Sequence, residues 1–454
     1  MNLPSSNGPQ IHPRPPRFLK FRSSHLFILT TICAAAFTDG FIYAIFVPVL
    51  PFSLQDRYHV APGSIQKWTS GLLGIFGAVV LIGSPIVGLV SDGGKSRKSA
   101  YTFGLACLVG GVSALAITNQ LWMLVVSRIL QGISAAVVFT VGLAIVADTV
   151  EPRDIGYYMG YVLSSMSCGV LMGPFFGSIA FNFAGHFAVV GLMGSIALVD
   201  ILLRFFMIET SEAKEYESSN DATERTRLLS SCSQPLPIAS TKWKMSSLLA
   251  NPRVATAIYG VFVHVVIIAS FDAVLPIFLG EVLGWTSFKV ALCFLAIAVP
   301  NTLLGPVAGI LSDTCGPMWP AFLGCILTAI PMILLQLIHD NTKEQIWLLY
   351  ALLVAIGTAA SLIISPLAAD LFFVMDTLVS NGDTAAYAQS YGLFTSAMAG
   401  GTLVGPVLGG YLKETFGWTT MTWGLGIFVA SGAIPVYFYT GRTRMRDATE
   451  GQLA

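Results

Sequence analysis

The sequence predicts an all-α integral membrane protein in which twelve membrane-crossing helices form two pseudo-symmetric bundles of six. Three observations carry this reading: a shortage of charge, twelve apolar runs of spanning length, and motifs that occur twice. Of 454 residues, 54% are hydrophobic and 11% charged, and the mean hydropathy is +0.74. Soluble domains carry about 25% charged residues. So little charge cannot make a water-facing surface for a chain this long, so lipid must replace water over most of it. The net charge of zero gives no acidic or basic bias, and no basic tract interleaved with aromatics points to nucleic acid. The seven cysteines show no metal-ligand spacing and no disulfide framework, and read as packing residues. No metal site or cofactor is implied.

The spans follow from length. Crossing the ~30 Å hydrocarbon core takes roughly 20 apolar residues. Such runs fall at 26–50, 69–91, 100–118, 121–147, 157–180 and 186–208, then at 254–277, 289–311, 318–338, 346–369, 387–412 and 418–440. Residues 1–25 form a Pro-rich, basic arm. The run behind it is too long for a signal-peptide core and has no cleavage site, so it is expected to stay as span 1. Between the bundles (26–208 and 254–440), residues 209–253 include "SEAKEYESSNDATERTRLLSSCSQPLPIASTKWK", a polar, Ser-rich linker. Residues 441–454 form a tail. Lysine and arginine set the orientation. With both termini in the cytosol, the inner segments hold seventeen of these residues and the outer loops five, the other two, Arg128 and Arg204, lying within spans. Both ends are therefore expected inside.

The halves repeat each other. "GLVSD" (88–92) closes span 2 and "GILSD" (309–313) closes span 8. "GVLMGPFFG" (169–177) in span 5 recurs as "GTLVGPVLG" (401–409) in span 11. "VLP" ends both span 1 (49–51) and span 7 (274–276). Duplicated bundles with a site between them at the midplane are a common transporter plan.

Ionisable groups inside spans are functional candidates by default. Asp39 in span 1 and Asp272 in span 7 have no neighbour in sequence to neutralise them, so each must pair, face water or take a proton. Aligning the two "VLP" ends puts His264 at the position equivalent to Asp39, and the two are expected to face each other across the bundle interface. Arg128 lies seven residues inside span 4, where arginine costs about 2.5–3.5 kcal/mol on insertion scales. Asp200 and Arg204, four residues apart in span 6, read as a local ion pair. Asp370 is expected to be wet at the inner end of span 10. Tyr43, Phe46, Phe139, Phe271, Tyr391 and Phe394 are candidate cavity walls.

The motifs resemble those of the major facilitator superfamily, in particular twelve-span drug:proton antiporters and the related vesicular amine transporters. The resemblance covers nearly the whole chain, and its bulk and Ser-rich linker are similar to those of fungal members. In "GLVSDGGKSRK" (88–98), the resemblance implies an inner gate formed by Gly88, Asp92, Arg97 and Lys98, with Gly309 and Asp313 as its second copy. The arginine expected directly after the aspartate is here Gly93. "LVVSRILQGISAA" (124–136) resembles the span-4 pattern whose arginine, here Arg128, is assigned to proton coupling. Gly169, Gly173, Pro174 and Gly177 resemble the antiporter signature, with Gly405 and Pro406 in the second copy; the glycines form a smooth helix face and the prolines are expected to bend their spans. Asp39 and Asp272 match the span-1 and span-7 acids of the amine transporters, whereas Ser361 and Thr395 stand where those carry further acids.

What this implies is a transporter, not an enzyme: a proton-coupled antiporter exporting a small amphipathic drug or secondary metabolite by alternating access. The expected partners are that small molecule, protons and the lipid bilayer, with the chain acting as a monomer. A uniporter or symporter of a small polar metabolite, or vesicular and vacuolar amine sequestration, are the alternatives on the same fold. The sugar-porter segment Pro-Glu-Ser-Pro-Arg is absent after span 6, where 208–212 read "IETSE". Paired Asp-rich metal motifs or a His cluster, as a membrane prenyltransferase would need, are also absent. The plasma membrane is the expected location, although "ERTRLL" (224–229) resembles an acidic dileucine sorting signal.

Overall fold

The computed structural model describes residues 22–93, 97–117, 120–207, 245–285, 287–380 and 386–441. Its helices are α1 (His25–Asp56), α2 (Pro62–Gly93), α3 (Arg97–Ile117), α4 (Leu121–Thr149), α5 (Ile155–Phe206), a short α6 (Met245–Ala250), α7 (Pro252–Leu283), α8 (Ser287–Cys315), α9 (Met318–Leu334), α10 (Lys343–Ser380) and α11 (Tyr387–Tyr439). Several run past the predicted span ends because a helix continues beyond the hydrocarbon where its backbone stays paired.

Among the described residues, eleven segments are long and apolar enough to cross a membrane. The last of them, α11, has 53 residues, roughly 80 Å at 1.5 Å per residue, which is too long for one crossing. At Gly417 the backbone takes φ +84° and ψ 173°, left-handed φ that favours glycine. A Cβ on Gly424 would touch Leu412 Cδ1 at 4.0 Å, although the two are twelve residues apart in sequence. The chain therefore doubles back, and α11 holds spans 11 and 12. Trp418 fixes the turn: its ring stacks on Phe278 with centroids 3.6 Å apart, and its indole N–H donates to the Leu335 carbonyl. In α5 the break between spans 5 and 6 falls at Ala184 and Gly185. That makes twelve crossings.

Pro174 and Pro406 lie inside these long helices without driving the backbone out of helical angles. The breaks occur elsewhere. Apolar packing runs as one cluster through both halves, with a second within the first half. Large apolar side chains such as Phe183, Leu303, Trp347 and Val407 are exposed around the outside; in water they would form aggregation patches, and here they meet lipid. The chain is a multi-pass membrane protein.

Candidate transport pathway and gate

The glycine faces set the internal register of each half. Cβ atoms on Gly169 and Gly173 of span 5 would collide with backbone at Phe37 and Phe41–Ile45 of span 1, and one on Gly177 with Ile45. In the second half Gly401, Gly405 and Gly409 of span 11 meet Phe262, Val266 and Ser270 of span 7 in the same way. Each three-glycine stripe thus lets two helices touch along their backbones. The matched contacts put Phe37 opposite Phe262 and Phe41 opposite Val266 in register, so Asp39 and His264 occupy equivalent positions.

A different set of contacts joins the two halves. The first turn of a helix leaves backbone N–H groups without intrahelical partners. Neither span 5 nor span 11 receives a side-chain bond from its own N-cap residue, Asp154 or Ala386. The partners come from the opposite half. Asp92, at the end of span 2, accepts from the N–H groups of Ala388 (3.1 Å) and Gln389 (2.8 Å). Asp313, at the end of span 8, accepts from Gly156 and Tyr157, both at 2.8 Å. A carboxylate at a helix N-terminus also gains from the helix dipole. Close backbone approaches back up the caps. A Cβ on Gly392 would stand 2.6 Å from the Ser84 carbonyl oxygen, and one on Gly160 2.6 Å from that of Gly305; Cβ atoms on Gly88 and Gly309 would also collide with the carbonyl oxygens of Ala388 and Gly156. The Ser396 hydroxyl donates to the Leu81 carbonyl at 2.7 Å. Together these contacts join the two halves at one end of the molecule.

Arg97 stands beside the first cap, 3.4 Å from Asp92 and 2.8 Å from Asp148 at the end of span 4. Lys95 and the side chain of Lys98 lie outside the described residues, as does the side chain of Phe46. Among the described residues the second cap has no cation, and Asp313 is held by backbone N–H groups.

At mid-span the ionisable groups divide. Asp39 is buried and points into its own half, not across the interface toward His264. Its Oδ1 accepts from the Ser134 hydroxyl at 3.1 Å, and its Oδ2 lies 4.0 Å from Arg204. The pair in span 6 is therefore more than local, because Arg204 serves Asp200 and reaches Asp39 as well. Sequence spacing could show only the i,i+4 neighbour. His264 is also buried, and its ring forms no hydrogen bond or ion pair among the described residues. No hydrogen bond or ion pair joins the two equivalent positions among the described residues.

Asp272 differs. It is exposed although it lies well inside span 7, and it forms no hydrogen bond or ion pair among the described residues. Tyr43 of span 1 is within electrostatic reach of both Asp272 and Arg128. Arg128 is fully buried. Tyr43, whose ring packs on Phe76 of span 2, thus lies between a buried arginine of its own half and an exposed acid of the other. Of the other aromatic candidates, Phe139, Phe271, Tyr391 and Phe394 are packed in the core. Ser361 and Thr395 donate to backbone carbonyls of their own helices.

Asp370 is not wet. It is fully buried and ion-paired with Arg253 at 2.5 Å, and it also accepts from the Gly441 N–H. The partner comes from the start of span 7, far away in sequence, so the reading of span 10 alone missed it.

The family model "Major Facilitator Superfamily" matches residues 32–378. The MFS-type transporter C18.02 of Schizosaccharomyces pombe is 32% identical over 424 residues, covering 89% of this chain and 93% of that protein. The synaptic vesicular amine transporter of Bos taurus is 23% identical over 350 residues, covering 77% of this chain and 62% of its own length. Among solved structures, the human organic anion transporter MFSD10 superposes with a TM-score of 0.66 at 15% identity, covering 91% of this chain and 99% of that one; at that identity it speaks for the fold.

Proposed function

The chain belongs to the major facilitator superfamily, and on that premise we propose that it is a proton-coupled antiporter exporting a small amphipathic organic molecule, cationic or neutral, by alternating access. The observation that carries this reading is the pair of carboxylates inside the bundle, Asp39 and Asp272. A charge at that depth is expensive unless it exchanges a proton or meets a cation. Asp39, closed in among Ser134 and Arg204, suits a proton. Asp272, exposed beside Tyr43, suits a cationic or polar group of the cargo. Arg128 and His264 complete the set of ionisable groups in the pathway. The distribution of lysine and arginine puts the face sealed by Asp92 and Asp313 toward the cytosol, with both termini there. The arrangement then corresponds to the outward-facing stage of the cycle.

We place the protein at the plasma membrane as a monomer. A second reading, amine sequestration into vesicles or vacuole, draws support from the likeness to the synaptic vesicular amine transporter; the "ERTRLL" signal lies outside the described residues. The test is reconstitution into vesicles with an imposed pH gradient, reading accumulation of a fluorescent lipophilic amine. Gradient-driven accumulation should fall more than about tenfold in Asp39→Asn and in Asp272→Asn. Accumulation indifferent to the gradient and to both substitutions would overturn antiport.

A further inference from the structure

We propose that Arg204 is a movable counter-charge shared by two carboxylates, Asp39 of span 1 and Asp200 of span 6, and that its displacement couples proton release from Asp39 to the packing of span 6 against span 1. This rests on the reading of Asp39 as a proton-exchanging group. Asp200 holds Arg204 by two contacts, Nε to Oδ1 at 3.0 Å and Nη2 to Oδ2 at 2.7 Å. The same Nη2 stands 4.0 Å from Asp39 Oδ2. All three side chains are buried, and Arg204 is the only cation that reaches Asp39 among the described residues. Two carboxylates and one guanidinium sum to −1 in a medium where an unbalanced charge costs several kcal/mol.

One proton restores neutrality, and the geometry selects its site. Asp39 Oδ2 is buried and has no hydrogen bond, whereas Oδ1 is already held by the Ser134 hydroxyl. With the proton on Oδ2, Arg204 belongs to Asp200. When the Asp39 carboxyl gives its proton to water, the bare Oδ2 draws the guanidinium across the remaining gap to hydrogen-bond distance. The Tyr101 ring lies under the guanidinium, 4.2 Å from its central carbon, and the Tyr101 carbonyl accepts from Nη1 at 3.4 Å. That flat face lets the cation slide in its own plane while keeping a cation–π contact. The other titratable group close to this set is Cys33, beside Tyr101. Spans 1, 3, 4 and 6 each contribute a group, so one proton changes contacts on four spans of the first half.

The test needs no cargo. Infrared difference spectra of the reconstituted full-length protein, recorded across pH, report the carboxylic acid stretch that disappears in Asp39→Asn. At the pH where that band is half lost in the unaltered protein, Arg204→Gln should keep it nearly complete. Asp200→Asn, isosteric and leaving Arg204 to Asp39 alone, should lower the ratio of protonated to ionised Asp39 about tenfold. Opposite changes cannot come from general loosening of the fold. If the Asp39 band titrates but neither variant moves it, or both move it the same way, the Arg204 role is overturned and the proton reading stands. If no titrating band depends on Asp39, the proton reading itself fails, and this inference with it.

Discussion

At the end of span 2, Asp92 caps the backbone of span 11, and at the end of span 8, Asp313 caps that of span 5; among the described residues a guanidinium stands beside only the first. The cap is what the duplication kept, because an uncapped helix start needs acceptors in either half. The cation was free to differ. In the first half Arg97 links the gate aspartate to Asp148 at the end of span 4. In the second half the acid at the end of span 10, Asp370, has instead taken Arg253 from the start of span 7, and it ties in the Gly441 backbone after span 12. One half spends its cation on the seam between halves, the other on its own scaffold. The seam can then open while the second bundle stays braced.

The scaffold pair should give the largest effect. Asp370→Ala leaves Arg253 facing a buried, empty site, and breaking such a pair costs about 3 kcal/mol. Asp148, whose side chain is 41% exposed, should cost less than about 1 kcal/mol on the same change. Thermal unfolding in detergent compares the two directly. Equal losses would mean that the two acids are alike and that burial does not separate them.

Next come the glycine faces, where the halves should behave nearly alike. A Cβ at Gly173 would stand 2.7 Å from the Ile45 nitrogen, and one at Gly405 2.6 Å from the Val266 oxygen. Overpacking of this kind costs about 1–3 kcal/mol. Gly405→Ala should be the worse of the two, because the Ser270 hydroxyl also donates to the Gly405 carbonyl at 2.7 Å, whereas Ile45, its counterpart, has no such group. The melting temperatures of the two variants test that ranking.

Much of this was legible in the sequence, and the exceptions share a cause. Twelve spans follow from apolar length, and the repeated "GLVSD" and glycine stripes follow from direct comparison of the halves. Local spacing also paired Asp200 with Arg204. It could not show Arg204 reaching Asp39, Arg253 reaching Asp370, or Asp92 reaching the backbone of residue 388, because these join residues more than a hundred positions apart. A backbone N–H leaves no mark in residue identity, so the acceptor of a cap is readable and its donors are not. The breaks in the two long helices fall at Gly185 and Gly417, where glycine takes a positive φ, and not at Pro174 or Pro406, which keep helical angles.

The caps themselves should give a smaller effect. Asp313→Asn weakens two charge-assisted bonds with no described cation beside them, and should shift the population of the sealed state about tenfold, roughly 1.4 kcal/mol. Cross-linking of cysteines introduced on spans 5 and 8 near the seam reads that population. Asp92→Asn should shift it too, with the added effect of releasing Arg97 to Asp148.

The smallest effect separates the charged latch from the uncharged one. Arg97→Gln leaves both backbone bonds to Asp92 in place and removes an ion pair whose arginine is 14% exposed, so it should cost less than about 1 kcal/mol of the sealed state. Salt gives the sharper reading, since added ions screen a partly exposed pair and leave buried backbone bonds nearly untouched. Cross-linking between spans 2 and 11 should therefore weaken with ionic strength in the unaltered protein and lose that dependence in Arg97→Gln. Between spans 5 and 8 it should be flat in both. A salt response of equal size at the two seams would mean that Arg97 does not distinguish the copies, and that the unlike charge of the two gates has no bearing on how they open.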